Sequence, residues 1–230
     1  MKNYVVIGGS TGIGRALVEQ LATEHQVWAT YHQTPMESND RVTYHSLDVT
    51  AESMDLSWLP DRIDGLAYCV GSIALKPFHR IKAEEFMQDY QKQTVAAIQI
   101  LQQSLSALKA SEQASVVLFS TVAVQTGFPF HALVSSSKGA IEGLTKALSA
   151  EWAPKIRVNA IAPSITDTPL ASNLLSTAEK KEANAQRHPL KAVGEAEDIA
   201  KLAAFLLKED SRWITGQVHH IDGGISSLKV

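Results

Sequence analysis

Cysteine is almost absent from this sequence. The 230 residues include a single cysteine, Cys69, so no disulfide forms within the chain and a metal site built from several cysteines is excluded. A chain without disulfides is typical of a reducing compartment, and we expect a cytoplasmic protein. Nothing in the sequence indicates a metal site.

Long apolar runs and an excess of positive charge are missing as well. No segment approaches the roughly 20 consecutive apolar residues that span a membrane. The first apolar run, residues 4–7, is too short for a secretion signal and leads directly into glycine. The formal net charge of -3 provides no attraction for nucleic acid or for an anionic membrane. We therefore expect a small-molecule substrate and neither nucleic acid nor a membrane as a partner.

The sequence does contain short apolar runs that alternate with longer amphipathic segments. This alternation predicts an α/β fold of the Rossmann type, a doubly wound parallel sheet of about seven strands with helices on both faces. The predicted strands are residues 4–7, 26–30, 42–46, 65–69, 115–120, 157–161 and 218–221. The predicted helices are residues 13–24, 84–108, 135–152 and 196–207, with a less regular helix at 177–187. No repeat or linker interrupts the pattern, so we expect one dinucleotide-binding domain over residues 1–230.

A glycine-rich turn, GGSTGIG at residues 8–14, follows the first predicted strand and opens into a predicted helix. Glycine in such a turn lets a pyrophosphate approach the amide groups at the positive end of the helix. A plain structural turn is the alternative, because any strand-to-helix turn favours glycine. The cofactor interpretation predicts a cradle made of Gly8, Ser10, Thr11, Gly12, Ile13 and Gly14.

The spacing Gly-x3-Gly-x-Gly resembles that of the short-chain dehydrogenase/reductase family, and further landmarks of this family follow in order as far as Gly224. Asp48 and Val49 resemble the family pair that contacts the adenine ring; an exposed helix N-cap is the alternative role for Asp48. The segment 221–224 resembles the family's closing Asp-Gly-Gly turn. The resemblance implies hydride transfer with a nicotinamide dinucleotide, and a homodimer or homotetramer.

The end of the second predicted strand bears on the choice of cofactor. An acidic residue there binds the adenosine ribose and favours NAD, whereas this chain has Tyr31 and His32. Because no carboxylate repels a 2'-phosphate, and His32 and Arg15 are basic, we predict a preference for NADP(H), with NAD(H) as the second option. The alternative is that His32 is a surface loop residue and both cofactors are accepted.

The family's proton-relay segment is altered in this chain. Lys138 takes the place of the lysine of Tyr-x3-Lys, but Val134 occupies the tyrosine position and Thr121 the serine position. Valine cannot exchange a proton with a substrate, whereas threonine can still donate a hydrogen bond. His131 precedes Lys138 by seven residues, as the tyrosine does in the enoyl-thioester reductase branch, and histidine titrates near neutral pH. His131 is therefore either a substitute acid or a loop histidine without a chemical role.

Two further family landmarks are altered. Gln93 stands where the resemblance places an asparagine, and Tyr68-Cys69-Val70-Gly71 stands where it places Asn-Asn-Ala-Gly and keeps only the glycine. We expect the backbone at Cys69 and Gly71 to pass close to the cofactor. Residues 159–169 resemble the family's Pro-Gly loop, with Ser164 in place of glycine. The resemblance implies that Ile165 and Thr168 hold the nicotinamide, and the alternative role for Thr168 is a helix N-cap.

Residues 170–193 are expected to form a substrate lid, and Phe78, Phe128 and Phe130 indicate either an apolar substrate pocket or ordinary packing. Two functions stay open. One is an oxidoreductase that transfers hydride to a carbonyl or activated alkene of a small apolar substrate, with Lys138, Thr121 and His131 in the site. The other is a weak or inactive dinucleotide-binding sensor or regulatory protein that works with an active paralogue. Apolar residues on the two long helices either contact such a partner or face the chain's own sheet, namely Ile98, Leu101, Leu105, Ile141 and Leu148.

Overall fold

The computed structural model describes residues 1–229. Its strands are β1 (Asn3–Ile7), β2 (Gln26–Tyr31), β3 (Val42–Ser46), β4 (Gly65–Tyr68), β5 (Ala114–Phe119), β6 (Ile156–Pro163), β7 (Thr166–Asp167), β8 (Gly194–Glu195) and β9 (Val218–Ile221). Seven of them form one parallel sheet in the order β3-β2-β1-β4-β5-β6-β9, and β7 pairs with β8. The predicted parallel α/β sheet is confirmed.

The helices are α1 (Gly12–Leu21), α2 (Ala83–Tyr90), α3 (Ala96–Ala110), α4 (Ala123–Thr126), α5 (Ala132–Trp152), α6 (Ala178–Gln186) and α7 (Ala196–Leu207). Every predicted strand and helix is present, with ends within three residues of the prediction. The prediction of one continuous helix over residues 84–108 is wrong in one respect. A π-helical turn, Gln91–Val95, separates α2 from α3 and inserts polar residues between them.

The sheet is covered by helices on both faces, which explains the nearly continuous apolar runs of its strands. All six residues of β5 are buried. Helices α3 and α5 pack on one face, and α1 and α7 pack on the other. Leu101 and Ile141 are 2% and 1% exposed in the first of these cores, and Leu105 and Leu148 pack against it. These side chains therefore face the chain's own sheet, and only Ile98 is left without a place in that core.

The strand order reverses between β1 and β4, since β2 and β3 lie to one side of β1 while β4, β5 and β6 lie to the other. In doubly wound sheets, the loops after the two central strands diverge at this point and leave a crevice beyond the carboxyl ends of the strands. Within residues 1–229, no helix is both long and apolar enough to cross a membrane.

Candidate active site

The glycine turn after β1 requires glycine at three positions. Gly8 and Gly12 have φ values of +82° and +51°, which favour glycine. A Cβ on Gly14 would lie 2.0 Å from the carbonyl oxygen of Gly8, so no side chain fits there. The turn is tied to β2 because the amide of Gly8 donates a 2.8 Å hydrogen bond to Thr30 Oγ1. These are the three glycines that the sequence pattern singles out.

The N-terminus of α1 is available to bind an anion. Thr11 occupies the N-cap position, yet its side chain caps no amide, and the first turn carries no acidic residue. The uncapped amides and the helix dipole favour a phosphate group. Ser10 is buried, Thr11 is exposed, and Ile13 lines the cavity that begins at this turn. The cradle thus fits the pyrophosphate of a dinucleotide.

The predicted adenosine end lies at the tips of β2 and β3. His32 is exposed, and its Nε2 lies 3.8 Å from Asp48 Oδ2. The hydroxyl and amide of Thr50 donate hydrogen bonds to Asp48 Oδ1, and these bonds lower the pKa of Asp48 below its usual range. No helix follows Asp48, so its carboxylate caps a turn and not the helix that the alternative supposed.

The other residues of this end divide between surface and core. Val49 is 7% exposed and belongs to the core, so only its backbone is available to an adenine ring. Tyr31 is half-buried at the end of β2. Arg15 pairs with Glu19 at 2.8 Å on the surface of α1. Each basic group at this end therefore has an acidic neighbour.

A cavity of about 260 Å³ opens beyond the carboxyl ends of β4, β5 and β6, and of the predicted cradle residues Ile13 alone is in its lining. It extends from Ile13 at the glycine turn to Leu174 and Arg187 in the segment 170–193. Among the described residues 1–229, the lining includes no aspartate or glutamate. The predicted site residues that line it are Ile13, Cys69, Gly71, Thr121, His131, Val134, Lys138, Ile165 and Thr168.

Lys138 lies on α5 and is 6% exposed. Burial lowers the pKa of its ammonium to about 8, although the charge of Asp89 favours the protonated form. No carboxylate of residues 1–229 lies within 4.0 Å of it to form an ion pair. Its Nζ would lie 3.9 Å from a Cβ on Gly71, so the ammonium faces the backbone strip after β4. Burial also raises the pKa of the Cys69 thiol to about 12, so this cysteine is a poor nucleophile.

A buried carboxylate, Asp89, organises the polar side of the cavity beside Lys138. It accepts hydrogen bonds from Ser72 (2.5 Å), Gln93 (2.7 Å) and Ser137 (2.6 Å). Gln93 lies in the π-helical turn. Its amide nitrogen donates to Asp89, and its buried Oε1 has no partner in the described chain. That oxygen would lie 3.7 Å from a Cβ on Gly71. An unpaired acceptor beside the lysine is the expected complement of a ligand hydroxyl.

Val134 and Thr121 occupy the tyrosine and serine positions of the family's relay, and both have defined surroundings. Val134 is 6% exposed and lines the cavity one helical turn before Lys138, so an apolar side chain stands where the tyrosine is expected. Thr121 is half-buried and lines the same wall, where its Oγ1 accepts a 3.3 Å hydrogen bond from the amide of Ala123. Its hydroxyl hydrogen is available to a substrate oxygen. Ser120 also lines the cavity, but its hydroxyl donates to Glu142 at 2.6 Å.

His131 lies at the N-cap position of α5 and lines the cavity at its rim. Its Nδ1 lies 2.8 Å from the carbonyl oxygen of Pro129, and its ring packs against Phe128 at 5.5 Å between centroids. Because a carbonyl only accepts, Nδ1 carries the hydrogen and Nε2 is available. The ring is oriented, and the structure is compatible with both roles considered for it.

The loop after β6 contains a pair of residues that the sequence did not reveal as a unit. Ser164 Oγ lies 2.8 Å from Nε2 of His188, which is 2% exposed, and both residues line the cavity. Ile165 and Thr168 lie on the same loop. Thr168 occupies the N-cap position of the 3-10 turn Pro169–Ala171, but its hydroxyl caps no amide and donates to the carbonyl of Thr166 at 3.3 Å. The only sequence signal for this pair was a lone histidine in the predicted lid.

Of the three phenylalanines considered for an apolar substrate pocket, one lines the cavity. Phe128 lines the cavity, and the guanidinium of Arg187 lies 5.6 Å from its ring centre. Phe130 and Phe78 are 55% and 73% exposed and lie outside the lining, because the loops that carry them run over the surface. Asn184 of α6 and Arg187, just after this helix, line this end of the cavity and belong to the segment 170–193.

Comparison with known proteins agrees with this geometry. Residues 8–226 match a family model described as enoyl-(acyl carrier protein) reductase. A tropinone reductase homologue of Arabidopsis thaliana is 34% identical, over 97% of this chain and 92% of its own length. A short-chain dehydrogenase family protein of Francisella tularensis superposes with a TM-score of 0.89 at 27% identity, covering 99% of this chain and 100% of that one. ElxO, solved with NADP bound, gives the same TM-score and identity over 99% of both chains. The chain therefore belongs to the short-chain dehydrogenase/reductase family of oxidoreductases.

Proposed function

We propose that this protein is an NADP(H)-dependent reductase that transfers a hydride to a carbonyl, or to an activated alkene, of a small apolar substrate. One observation carries the proposal. A single cavity without carboxylates joins the glycine turn, the buried ammonium of Lys138, the hydroxyl of Thr121 and the segment 170–193. Such a cavity suits the nicotinamide end of a dinucleotide beside a small substrate.

The chain's own groups have distinct roles in this proposal. When bound, a reduced nicotinamide supplies the hydride. The amides of the glycine turn bind the pyrophosphate, and Ile165 and Thr168 orient the nicotinamide. Lys138 and the free Oε1 of Gln93 hold the neighbouring ribose hydroxyls, because both face the strip at Gly71. Thr121 donates a hydrogen bond to the substrate oxygen and fixes the carbonyl in place.

The preference for NADP(H) is supported by the absence of an acidic residue at the end of β2, where Tyr31 and His32 stand. ElxO, which is 27% identical to this chain, was solved with NADP bound. The acidic neighbours of His32 and Arg15 weaken the attraction for a 2'-phosphate. We therefore propose a preference and not an exclusive use of NADP(H), with NAD(H) accepted more weakly.

We also propose a domain organisation, a location and an oligomeric state for this protein. Residues 1–230 act as one dinucleotide-binding domain in which residues 170–193 form the lid, because α6 and Arg187 close the substrate end of the cavity. The protein works in the cytoplasm as a homodimer or homotetramer. A second function, a dinucleotide sensor with little turnover, is favoured by Val134 alone, since the cradle persists where the usual proton donor does not.

Two measurements test the proposal. Titration with NADPH and NADH, followed by nicotinamide fluorescence, should give saturable binding with NADPH the tighter ligand. Turnover is then screened on apolar ketones, aldehydes and enoyl thioesters, with Val134→Tyr and His131→Ala beside the wild type. Binding with turnover supports the reductase, and binding without turnover of any substrate supports the sensor. Binding of neither cofactor would remove both functions, and an unaffected His131→Ala would exclude His131 as the acid.

A further inference from the structure

The buried His188 ring has a hydrogen-bond partner at each of its two nitrogens. Its Nδ1 lies 2.8 Å from the backbone carbonyl oxygen of Asn184, and its Nε2 lies 2.8 Å from Ser164 Oγ. A carbonyl can only accept a hydrogen bond, so Nδ1 carries the hydrogen of the neutral ring. Nε2 then accepts from the hydroxyl of Ser164. A hydroxyl, a ring nitrogen and a third group that orients the ring are the components of an activated hydroxyl.

Backbone segments outside the cavity hold Ser164 and His188 in place. His188 packs against the closing turn, where a Cβ on Gly223 would lie 3.3 Å from the Cβ of His188, and Leu190 donates its amide to the carbonyl of Gly223 at 3.1 Å. The amide of Ser164 donates to the carbonyl of Ile221 at 3.0 Å. The last strand of the sheet therefore fixes the hydroxyl and the ring relative to each other.

The pair lines the same cavity as Thr121, Val134 and Lys138. Val134 offers no proton, and His188 is a group of the ordinary type for proton transfer near neutral pH. We propose that Ser164 and His188 form the proton relay of this enzyme. Ser164 is the catalytic residue that touches the substrate oxygen, and His188 acts through it. This inference rests on the proposed reductase function.

The relay balances in charge and atoms. The carbonyl carbon gains the hydride that the reduced nicotinamide supplies, and the carbonyl oxygen takes the electron pair of the broken C=O π bond. That oxygen accepts the hydroxyl proton of Ser164, and Ser164 Oγ takes the proton from Nε2 of the charged His188 ring. The products are an alcohol, a serine hydroxyl and a neutral His188 whose Nδ1 still donates to Asn184. This final arrangement is the one that the structure shows.

Charged groups near the ring set the background for any pH effect. Lys138 and His131 line the same cavity, and Arg187 directly precedes His188 while its guanidinium lies over Phe128. Asp222 lies in the closing turn, and its carboxylate accepts from the amides of Gly224 and Ser226. Among the described residues that line the cavity, none is a carboxylate that would stabilise a charged ring. The charged ring of the relay therefore has no carboxylate partner in the cavity.

The first test needs neither cofactor nor turnover. Nitrogen-15 NMR of the histidine rings in the ligand-free protein should show His188 with hydrogen on Nδ1 and a bare Nε2 that accepts the hydrogen bond from Ser164. Ser164→Ala should keep this tautomer while shifting the Nε2 resonance, because only the hydrogen bond from Oγ is lost. The opposite tautomer, or an Nε2 resonance insensitive to Ser164→Ala, would overturn the relay.

The second test is kinetic. His188→Gln and Ser164→Ala should each lower kcat for ketone reduction by about 10² while NADPH binding is retained, since general acid catalysis contributes 10²–10⁴. Wild-type kcat should fall as pH rises through the neutral range, and this dependence should vanish in His188→Gln, which a merely structural role would not cause. Ser164→Thr, which restores a hydroxyl, should recover the rate. His220→Gln, which changes an exposed histidine on β9, serves as the control.

The outcomes separate the two levels of the proposal. If the wild type binds NADPH and turns over but His188→Gln keeps both its rate and its pH dependence, the relay is wrong and the reductase stands. If the wild type neither binds NADPH nor turns over, the reductase itself fails.

Discussion

Replacing Gly14 with alanine tests the cradle at its tightest point. The new Cβ would lie 2.0 Å from the carbonyl oxygen of Gly8, whereas a carbon and an oxygen in contact are ordinarily at least about 3.3 Å apart. The turn must therefore move by more than 1 Å. Gly8 cannot follow easily, because its φ of +82° and its hydrogen bond to Thr30 fix it in place.

The magnitude follows from three contributions. Overpacking costs about 1–3 kcal/mol, and the strained hydrogen bond of Gly8 about 1 kcal/mol more. Alanine in a helix regains about 1 kcal/mol over glycine. We expect Gly14→Ala to lower the free energy of unfolding by about 1–3 kcal/mol, with the clash as the dominant contribution.

Gly143 offers a matched control, because it is an exposed glycine on α5 and a Cβ there meets nothing within 4 Å. Gly143→Ala should raise the free energy of unfolding by about 1 kcal/mol. Urea unfolding measures both variants, and NADPH titration should show binding retained by Gly143→Ala and lost in Gly14→Ala. A Gly14→Ala protein with wild-type stability and wild-type NADPH affinity would refute the described turn.

Three further predictions concern charge. The pKa of Lys138 is lowered from 10.5 to about 8, so the unfolded chain binds the proton between these values and the folded chain does not. The free energy of unfolding should therefore rise with pH between about 8 and 10.5. Ligand-free Lys138→Met should lose this pH dependence and should be more stable than the wild type at pH 7 by up to about 3 kcal/mol. A less stable variant in urea unfolding would contradict this. His32→Asp should weaken NADPH binding at least tenfold, about 1.4 kcal/mol, without weakening NADH, because the new carboxylate repels a 2'-phosphate; equal losses for both cofactors in parallel titrations would count against that interpretation. Arg187→Ala removes the contact with the Phe128 ring, worth about 0.5–1 kcal/mol, so urea unfolding should show the free energy of unfolding lowered by about that amount, and an unchanged free energy would show that the contact does not stabilise the fold.

The fold was largely predictable because its signals are local. Buried parallel strands require apolar residues on both faces, and the run at residues 114–119 makes this visible without any knowledge of contacts. Gly8 and Gly12 are needed for backbone angles and Gly14 for close approach, and these needs follow from neighbours in the chain. The π-helical turn at Gln91–Val95 was not predictable, because apolar periodicity continues on both sides of it.

The site was predictable only where one family position maps onto one residue. Lys138 and Val134 were located by spacing along α5, and both line the cavity as expected. Asp89 was missed because three hydrogen bonds from separate segments give it its role. His188 and Ser164 are 24 residues apart, and only the closing turn after β9 brings them to 2.8 Å. Pairings that depend on such tertiary contacts leave no periodic trace in the sequence.

Calorimetric titration of the purified protein with NADPH, with Gly12→Ala as the comparison, tests the dinucleotide cradle directly. We expect saturable binding at one site per chain, and a loss of at least tenfold in affinity for Gly12→Ala, because the substitution strains a φ of +51° and crowds Thr168 at 3.2 Å. Absence of NADPH and NADH binding by the folded wild-type protein would contradict this expectation.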